Sequence, residues 1–264
     1  MIIGIIGRSV DPNGRMCSMG TGKDKATEIL IKDYKFTKVA MADEIKRFCA
    51  KLYGFSTEQL WGPSQERNKP DPRLPREHHS MFIDGKCECC GATHPAEQCY
   101  LTPRYAIQQL GNDWGRNCFT DTWVNYTIDI AKQLVYGVDR QRPRYYPLSF
   151  NSKDNYMDKA FPQYDQIHGL SDATFIAEPY RVKNVIIPDC RYLNECQAIK
   201  KNGGKVVLIH RKVESLPKGP NLDHDSEKDL NRFKIGDDNV PWDCVVENDG
   251  TIEELGQKLV DAIK

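Results

Sequence analysis

Residues 1–27 read MIIGIIGRSVDPNGRMCSMGTGKDKAT, and the way this stretch folds decides how the rest of the chain is read. Met1 to Ile6 is a short isoleucine-rich apolar run, which suits a strand buried on both faces of a parallel sheet. A glycine-rich turn follows, ending in Gly20-Thr21-Gly22-Lys23, and a helix is expected from about Lys23 to Tyr34. Glycines let backbone approach an anion without a side chain in the way, and the N–H groups that open a helix attract negative charge. Lys23 adds a cation for the outer phosphates. The stretch is therefore predicted to be a phosphate-binding loop.

Its spacing departs from G-x-x-x-x-G-K-[ST] in two places. Cys17 stands where the first glycine is expected, and Asp24 stands where a Ser or Thr hydroxyl would meet magnesium. Gly7-Arg8 and Gly20-Thr21-Gly22-Lys23 read as two halves of one loop, split by an insertion at 9–19 that contains Pro12 and Gly14.

The chain has 264 residues, enough for one sizeable core or a core with an inserted subdomain. One main domain spanning 1–264 is expected. Lys plus Arg and Asp plus Glu both number 37, so no global basic field draws in nucleic acid. No apolar stretch approaches the roughly 18 to 20 residues that span a bilayer, and the N-terminal run lacks the marks of a signal peptide, so a cytoplasmic protein without a membrane partner is expected. Six of the ten cysteines (Cys17, Cys49, Cys118, Cys190, Cys196, Cys244) are scattered and read as reduced core or near-core thiols.

Beyond the first helix, Thr37 to Met41 is a candidate strand, and Asp43 to Tyr53 carries Ile45, Phe48, Cys49 and Leu52 at helical spacing before Gly54. Ser56 with Gln59 three residues on can start a short helix towards Trp61. The proline-rich segment 63–100 is a surface excursion, and it carries CECCGATHPAEQC. Within it Cys87, Cys90, His94 and Cys99 have the spacing of a compact tetrahedral zinc site, with Cys89 as a substitute ligand. Such a metal would be structural, because four protein ligands leave no open position for chemistry.

Thr102-Pro103 caps and opens the next helix, which is expected to run to Gly111-Asn112, and a second helix follows from about Asp121 to Tyr136. Residues 138–180 look irregular; their Arg140, Arg142 and Arg144 read as a solvated face, with phosphate contact from a flap as the alternative. Val182 to Pro188 is a second buried strand. It is followed by Asp189-Cys190-Arg191, a helix from Asn194 to Lys201, Gly203-Gly204 and a strand from Lys205 to His210. This is a right-handed parallel crossover unit. A last strand at Trp242 to Val246 and a closing helix from Gly250 to Lys264 complete an α/β order.

Ligands of open α/β sheets lie beyond the carboxyl ends of the strands. Lys23, Asp43, Lys46, Asp189 and Arg191 all follow expected strands. Phosphoryl transfer needs donors for phosphate oxygens, a divalent cation and a held acceptor. Lys23, the loop amides, Lys46, Arg104 and Arg191 supply positive charge. Asp24 and Asp189 supply carboxylates suited to Mg2+.

Several ordered pieces resemble one family. VAMADEIKRFCAKLYGFSTEQL and the glycine-lysine-aspartate ending of the loop resemble phage deoxynucleoside monophosphate kinases, as do TPRYAIQQLGNDWGRNCFTDTWV, VIIPDCRYLNECQAIKKNGGKVVLIHR and VVENDGTIEELGQKLVDAI. His224-Asp225-Ser226-Glu227 resembles their short histidine-x-serine-glutamate motif. The resemblance implies a three-layer P-loop kinase fold with a central parallel sheet flanked by helices, which moves the γ-phosphoryl of ATP, with Mg2+, onto a deoxynucleoside 5'-monophosphate. It implies that Gly20, Thr21, Gly22, Lys23, Asp24 and Lys25 hold the ATP phosphates. Asp43, Lys46, Arg104, Gly111, Asn112 and Trp123 would line the monophosphate pocket. Asp189, Arg191 and Glu195 would stand at the strand end beside it. The long segments 63–100 and 138–180 would reshape the acceptor pocket or mediate self-association as a homodimer.

Two other readings compete. Animal-type phosphomevalonate kinases share a similar glycine-lysine-aspartate loop, an aspartate-x-arginine strand and an ending like WDCVVENDG; they would imply an isoprenoid acceptor. A nucleic-acid-binding module built around the cysteine knuckle, with a degenerate kinase core, is opposed by the neutral charge balance.

Overall fold

The computed structural model describes residues 1–75, 82–83, 86–87, 99–136, 182–216 and 228–264. These fall into two compact units. One takes 1–40, 124–136, 182–216 and 228–264, and the other takes 41–75, 82–83, 86–87 and 99–123.

The first unit is built on β1 (Ile2–Val10), whose first eight residues are all buried. It lies at the centre of a sheet of order β3 (Phe36–Lys38), β6 (Asn184–Ile187), β1, β7 (Lys205–Lys212) and β8 (Cys244–Glu247). All four pairings along that path are parallel. β2 (Met16–Cys17) adds an antiparallel strand to the end of β1. A sheet of this kind requires apolar residues on both faces, which is why β1, β6 and β7 read as continuous hydrophobic runs rather than as alternation.

On one face Ile3, Ile5, Ile186, Val207, Ile209 and Val246 pack with Ala26 and Leu30 of α1 (Lys23–Tyr34) and with Leu255, Leu259, Val260 and Ile263 of the closing helix α8 (Ile252–Ile263). α7 (Leu193–Lys201) packs on β1 and β7, where Ile199 fills the space left by Gly4: a Cβ there would lie 2.5 Å from its Cδ1. Helices therefore flank the sheet in three layers. The chain leaves β1 for the β3 edge and leaves β6 for the β7 edge, so the crevice between the carboxyl ends of β1 and β6 is the topological switch point.

The second unit gathers Ile45, Cys49 and Ala50 of α2 (Asp43–Tyr53), Phe55, Leu60 of α3 (Thr57–Trp61) and Ala106 of α5 (Pro103–Gln108) into one cluster. α4 (Ser64–Asn68) adds a short turn. The local signals for these helices act as expected. Ser56 and Gln59 form a reciprocal capping box, and the Thr102 hydroxyl accepts from the Tyr105 N–H with Pro103 at the first helical position. The expected apolar stripe of α2 is covered only in part: Ile45 and Cys49 are buried, whereas Phe48 and Leu52 are 48% and 54% exposed. Among the scattered cysteines, Cys118 is exposed; burial pushes the Cys49 thiol up to about 12 and those of Cys190 and Cys196 well up, which makes them inert.

After α5 the chain does not stop at Gly111-Asn112 but continues as a π-helix over Gln109–Arg116. Gly115 makes room for Trp123 of α6 (Thr122–Tyr136), since a Cβ there would collide with the indole, and the Trp123 Nε1 donates to the Gly111 carbonyl at 2.8 Å. π-helical turns are rare and tend to occur at functional sites.

The proline-rich excursion is tied at its root. The Asp71 N–H donates to Leu101 O and the Leu101 N–H to Leu74 O, each at 2.9 Å, and Pro75 bridges Tyr100. Within the excursion, β4 (Phe82–Ile83) and β5 (Lys86–Cys87) form a separate antiparallel pair. The buried Asp71 carboxylate accepts from Arg73 Nη2 at 2.6 Å, Gln59 Nε2 at 2.9 Å and the Arg73 N–H at 3.0 Å. Hydrogen bonding from the Arg73 side chain outweighs desolvation and, with Gln59 and the Arg73 amide, holds Asp71 well below the usual carboxylate range.

Because the folded value is depressed, the stability it contributes is complete above the unfolded aspartate pKa of about 3.9 and drains as pH falls towards the folded value. Urea unfolding between pH 6 and pH 2 is expected to find Asp71→Asn less stable at pH 6, with a shallower acid loss than the unaltered chain.

Candidate active site

The loop is built on the end of β1. That strand runs past its expected end to Val10, turns, and returns as β2, pairing Ser9 with Cys17 and Val10 with Met16. Asp11 makes the turn: its Oδ1 accepts from the Asn13 and Arg15 N–H groups at 3.0 and 2.9 Å, and its Oδ2 pairs with the Arg15 guanidinium at 2.7 Å. The insertion between the two loop halves is thus a hairpin grown on the carboxyl end of the central strand. Arg8 is not part of the loop. It is buried, donates to Leu230 O at 2.6 Å and Phe233 O at 2.9 Å, and lies 4.9 Å from the Trp242 ring centre.

Four successive loop carbonyls are each held by a side chain of the same unit. Ser18 O accepts from Lys23 Nζ at 3.0 Å, Met19 O from Ser9 Oγ at 2.7 Å, Gly20 O from Arg211 Nη1 at 3.1 Å and Thr21 O from Asn248 Nδ2 at 2.9 Å. In a planar trans peptide the N–H points opposite to the C=O. Fixing these carbonyls therefore turns the N–H groups of Met19, Gly20, Thr21 and Gly22 away from the donors that hold them. Gly20 and Gly22 have φ of 68° and 85°, which only glycine adopts without strain, and a Cβ on Gly22 would collide with Asn248. Gly22 is also the N-cap of α1 and offers no side chain to the first helical amides; the Lys23 N–H donates instead to Thr21 Oγ1 at 3.3 Å, and the helix dipole favours an anion at this end.

Lys23, the first residue of α1, is buried, and its Nζ lies 2.7 Å from Asp189 Oδ1 just beyond β6. The other oxygen of Asp189 pairs with Arg191 Nη2 at 3.0 Å. The structure thus brings Lys23, Asp189 and Arg191 together at the switch point. Desolvation pushes the Asp189 carboxyl up, but the Lys23 and Arg191 charges prevail and hold it well below the usual carboxylate range. Asp189 also has φ of 65°, a left-handed backbone unusual outside glycine, and such strain persists only where the surroundings impose it.

Glu195 is buried behind this group, where its Oε2 accepts the N–H groups of Arg191 at 2.7 Å and Tyr192 at 3.2 Å. It orients the Asp189–Arg191 turn. Asp24 is exposed in the first turn of α1, and the exposed Lys25 pairs with Glu28 at 2.8 Å.

The remaining expected residues lie in the second unit. Asp43 opens α2, is buried, and accepts from Trp61 Nε1 at 3.1 Å; Lys46 Nζ stands 5.6 Å from the centre of the same indole. Arg104 donates to Ser64 Oγ at 3.1 Å and to Asn68 Oδ1. Gly111 and Asn112 lie in the π-helix, and Trp123, partly buried against the cluster of α2, α3 and α5, has its ring centre 6.3 Å from that of the exposed Trp114.

Cys90, His94, Arg140, Arg142, Arg144 and the His224-Asp225-Ser226-Glu227 motif lie outside the described residues. Among the described residues no group of three or more His, Cys, Asp and Glu side chains is placed to hold a metal, and no helix is long and apolar enough to cross a membrane. Three loop donors escape a reading of the sequence. Ser9 was hidden in the insertion, and Arg211 and Asn248 are 191 and 227 residues from the carbonyls they hold. Only the expectation that β7 and β8 end beside β1 could have pointed to them.

No protein-family model matches the chain. It is similar to a protein of Acanthamoeba polyphaga mimivirus named "Putative deoxynucleotide monophosphate kinase", with 25% identity over 250 residues that cover 95% of this chain and 94% of the relative.

Asn248→Ala removes one loop donor. Unfolding free energy is expected to fall by about 1 kcal/mol, read by urea unfolding against the unaltered chain.

Proposed function

We propose that the chain is a nucleotide kinase that transfers the γ-phosphoryl group of ATP to a deoxynucleoside 5'-monophosphate, giving the diphosphate. The observation that carries this reading is the Lys23–Asp189–Arg191 ion group at the mouth of a glycine loop whose amides are turned outward. The full-length likeness to a relative named as a deoxynucleotide monophosphate kinase supports the choice of acceptor.

In this reading the loop amides and the first turn of α1 hold the inner phosphates of ATP. Lys23 exchanges its bond to Asp189 for an oxygen of the outer phosphates, and Arg191 neutralises charge on the phosphoryl group in transit. Asp189, ionised at any working pH, and the exposed Asp24 are oxygen donors of the kind that suits magnesium, which keeps one or two carboxylates, waters and substrate phosphates as ligands. When bound, that ion supplies charge neutralisation between the phosphates. Glu195 acts as a positioning residue through the amides of Arg191 and Tyr192.

The acceptor monophosphate is assigned to Lys46 and Arg104 as cations, with Asp43 orienting Trp61 beneath Lys46 and with Gly111, Asn112 and Trp123 shaping the place of the base. No strong general base is required, because the acceptor phosphate is already a nucleophilic anion.

The test is ADP release with ATP and a panel of deoxynucleoside monophosphates, with phosphomevalonate as the competing acceptor. Turnover is expected with at least one nucleotide and none with phosphomevalonate. Lys23→Ala is expected to lower kcat by on the order of 10²- to 10³-fold with an unchanged circular dichroism spectrum. Undiminished turnover in that variant would contradict the assignment.

A further inference from the structure

We propose that Asp229 is a positioning residue for the Asp189–Arg191 pair, held in that task by the buried Arg8 of the central strand; this role rests on the kinase reading and deepens it. The turn after β6 is shaped by what its amides donate to. Cys190 donates to Ile5 O at 2.8 Å, Arg191 and Tyr192 to Glu195 Oε2 at 2.7 and 3.2 Å, and Leu193 to Asp229 Oδ2 at 2.7 Å. The first acceptor belongs to the sheet and the second to α7 itself. Asp229 belongs to neither, and 36 residues separate it from Leu193.

Residues 229–233 make turns rather than a helix or a strand, so their own backbone does not fix where Asp229 stands. A buried side chain does. Arg8 is 2% exposed and donates to Leu230 O at 2.6 Å and Phe233 O at 2.9 Å, with its guanidinium carbon 4.9 Å from the Trp242 ring centre. A charge removed from water is costly to leave without hydrogen bonds, which binds Arg8 firmly to both carbonyls. Within the turn, Asp229 Oδ1 pairs with Arg232 Nη2 at 3.1 Å, leaving Oδ2 aimed at Leu193.

β1 therefore serves both sides of the switch point. Its far end grows the glycine loop, and Arg8, through Leu230 and Asp229, sets the start of α7 and the turn that carries Arg191. A cation stabilises charge in transit only when it already stands in place, and a misplacement of about 1 Å can cost about 10²-fold in rate. Were Asp229 a cap for α7 and nothing more, its loss would lower stability and leave the turnover of the folded enzyme as it was.

The experiment compares Asp229→Ala and Asp229→Asn in the full chain, by steady-state kinetics with the preferred nucleotide and by amide exchange without ATP. In the alanine variant kcat is expected to fall about tenfold with the KM for ATP unchanged, and the Leu193 amide to exchange faster. An asparagine oxygen still accepts from Leu193, so Asp229→Asn is expected to regain most of the lost kcat and the slow exchange. A working chain whose alanine variant keeps its kcat would overturn this role alone, as would an asparagine variant as impaired as the alanine one. A rise in the KM for ATP that matches the fall in kcat would also overturn it, marking a general loosening of the unit. An unaltered chain that releases ADP with no nucleotide overturns the kinase reading and this role with it. Should Asp229→Ala fail to fold, Asp229→Ser, whose hydroxyl is one bond shorter in reach, takes its place under the same expectations.

Discussion

The anion-binding role proposed for the glycine loop depends on how four carbonyl groups are held. A loop of glycines is free to present either its N–H or its C=O groups, and only the first choice attracts phosphate. Here Lys23, Ser9, Arg211 and Asn248 each take one carbonyl, and planarity of the peptide does the rest. These donors come from α1, β1, β7 and the residue after β8, so the orientation of the loop is set by the sheet and not by the loop itself. Parallel order in β7 and β8 is thereby tied to the form of the loop that follows β1.

Asp189 supplies the second constraint. Its backbone is left-handed, its two oxygens are each taken by a cation, and Glu195 holds the amides of Arg191 and Tyr192. A carboxylate between a lysine and an arginine keeps both cations extended and oriented without neutralising the pair, leaving one net positive charge at the switch point. The local strain is offset by these bonds, which act together, so the loss of one exposes the others.

Much of the framework was legible because it is local. The apolar runs of β1, β6 and β7, the Ser56–Gln59 box, Thr102-Pro103 and the glycine at the end of α2 all act within a few residues of where they stand. The meeting of Lys23 with Asp189 and Arg191 was legible for another reason: the carboxyl ends of parallel strands must gather, whatever their separation in sequence. What escaped the sequence is non-local. The hairpin of β2 depends on Asp11 collecting two amides and a guanidinium, and the π-helix carries Gly115, whose bare face admits the Trp123 indole. Glycine at position 111 suggests the end of a helix, yet it lies inside the π-helix, where a Cβ would come 3.2 Å from Ile45 Cδ1 and where its carbonyl accepts from the Trp123 indole. The covered width of the α2 stripe was equally hidden, because periodicity gives the direction of an apolar face and not how far its neighbours reach across it.

The bridge between Pro75 and Tyr100 gives the excursion the standing of an appendix. Chain that departs and rejoins at one rung can lengthen or shorten with little effect on the body that carries it, because the entropy of closing a flexible loop rises by only about 0.6 kcal/mol for each doubling. A chain shortened there would need nothing more than a tight turn at that rung, and foreign sequence grafted there would meet the same tolerance.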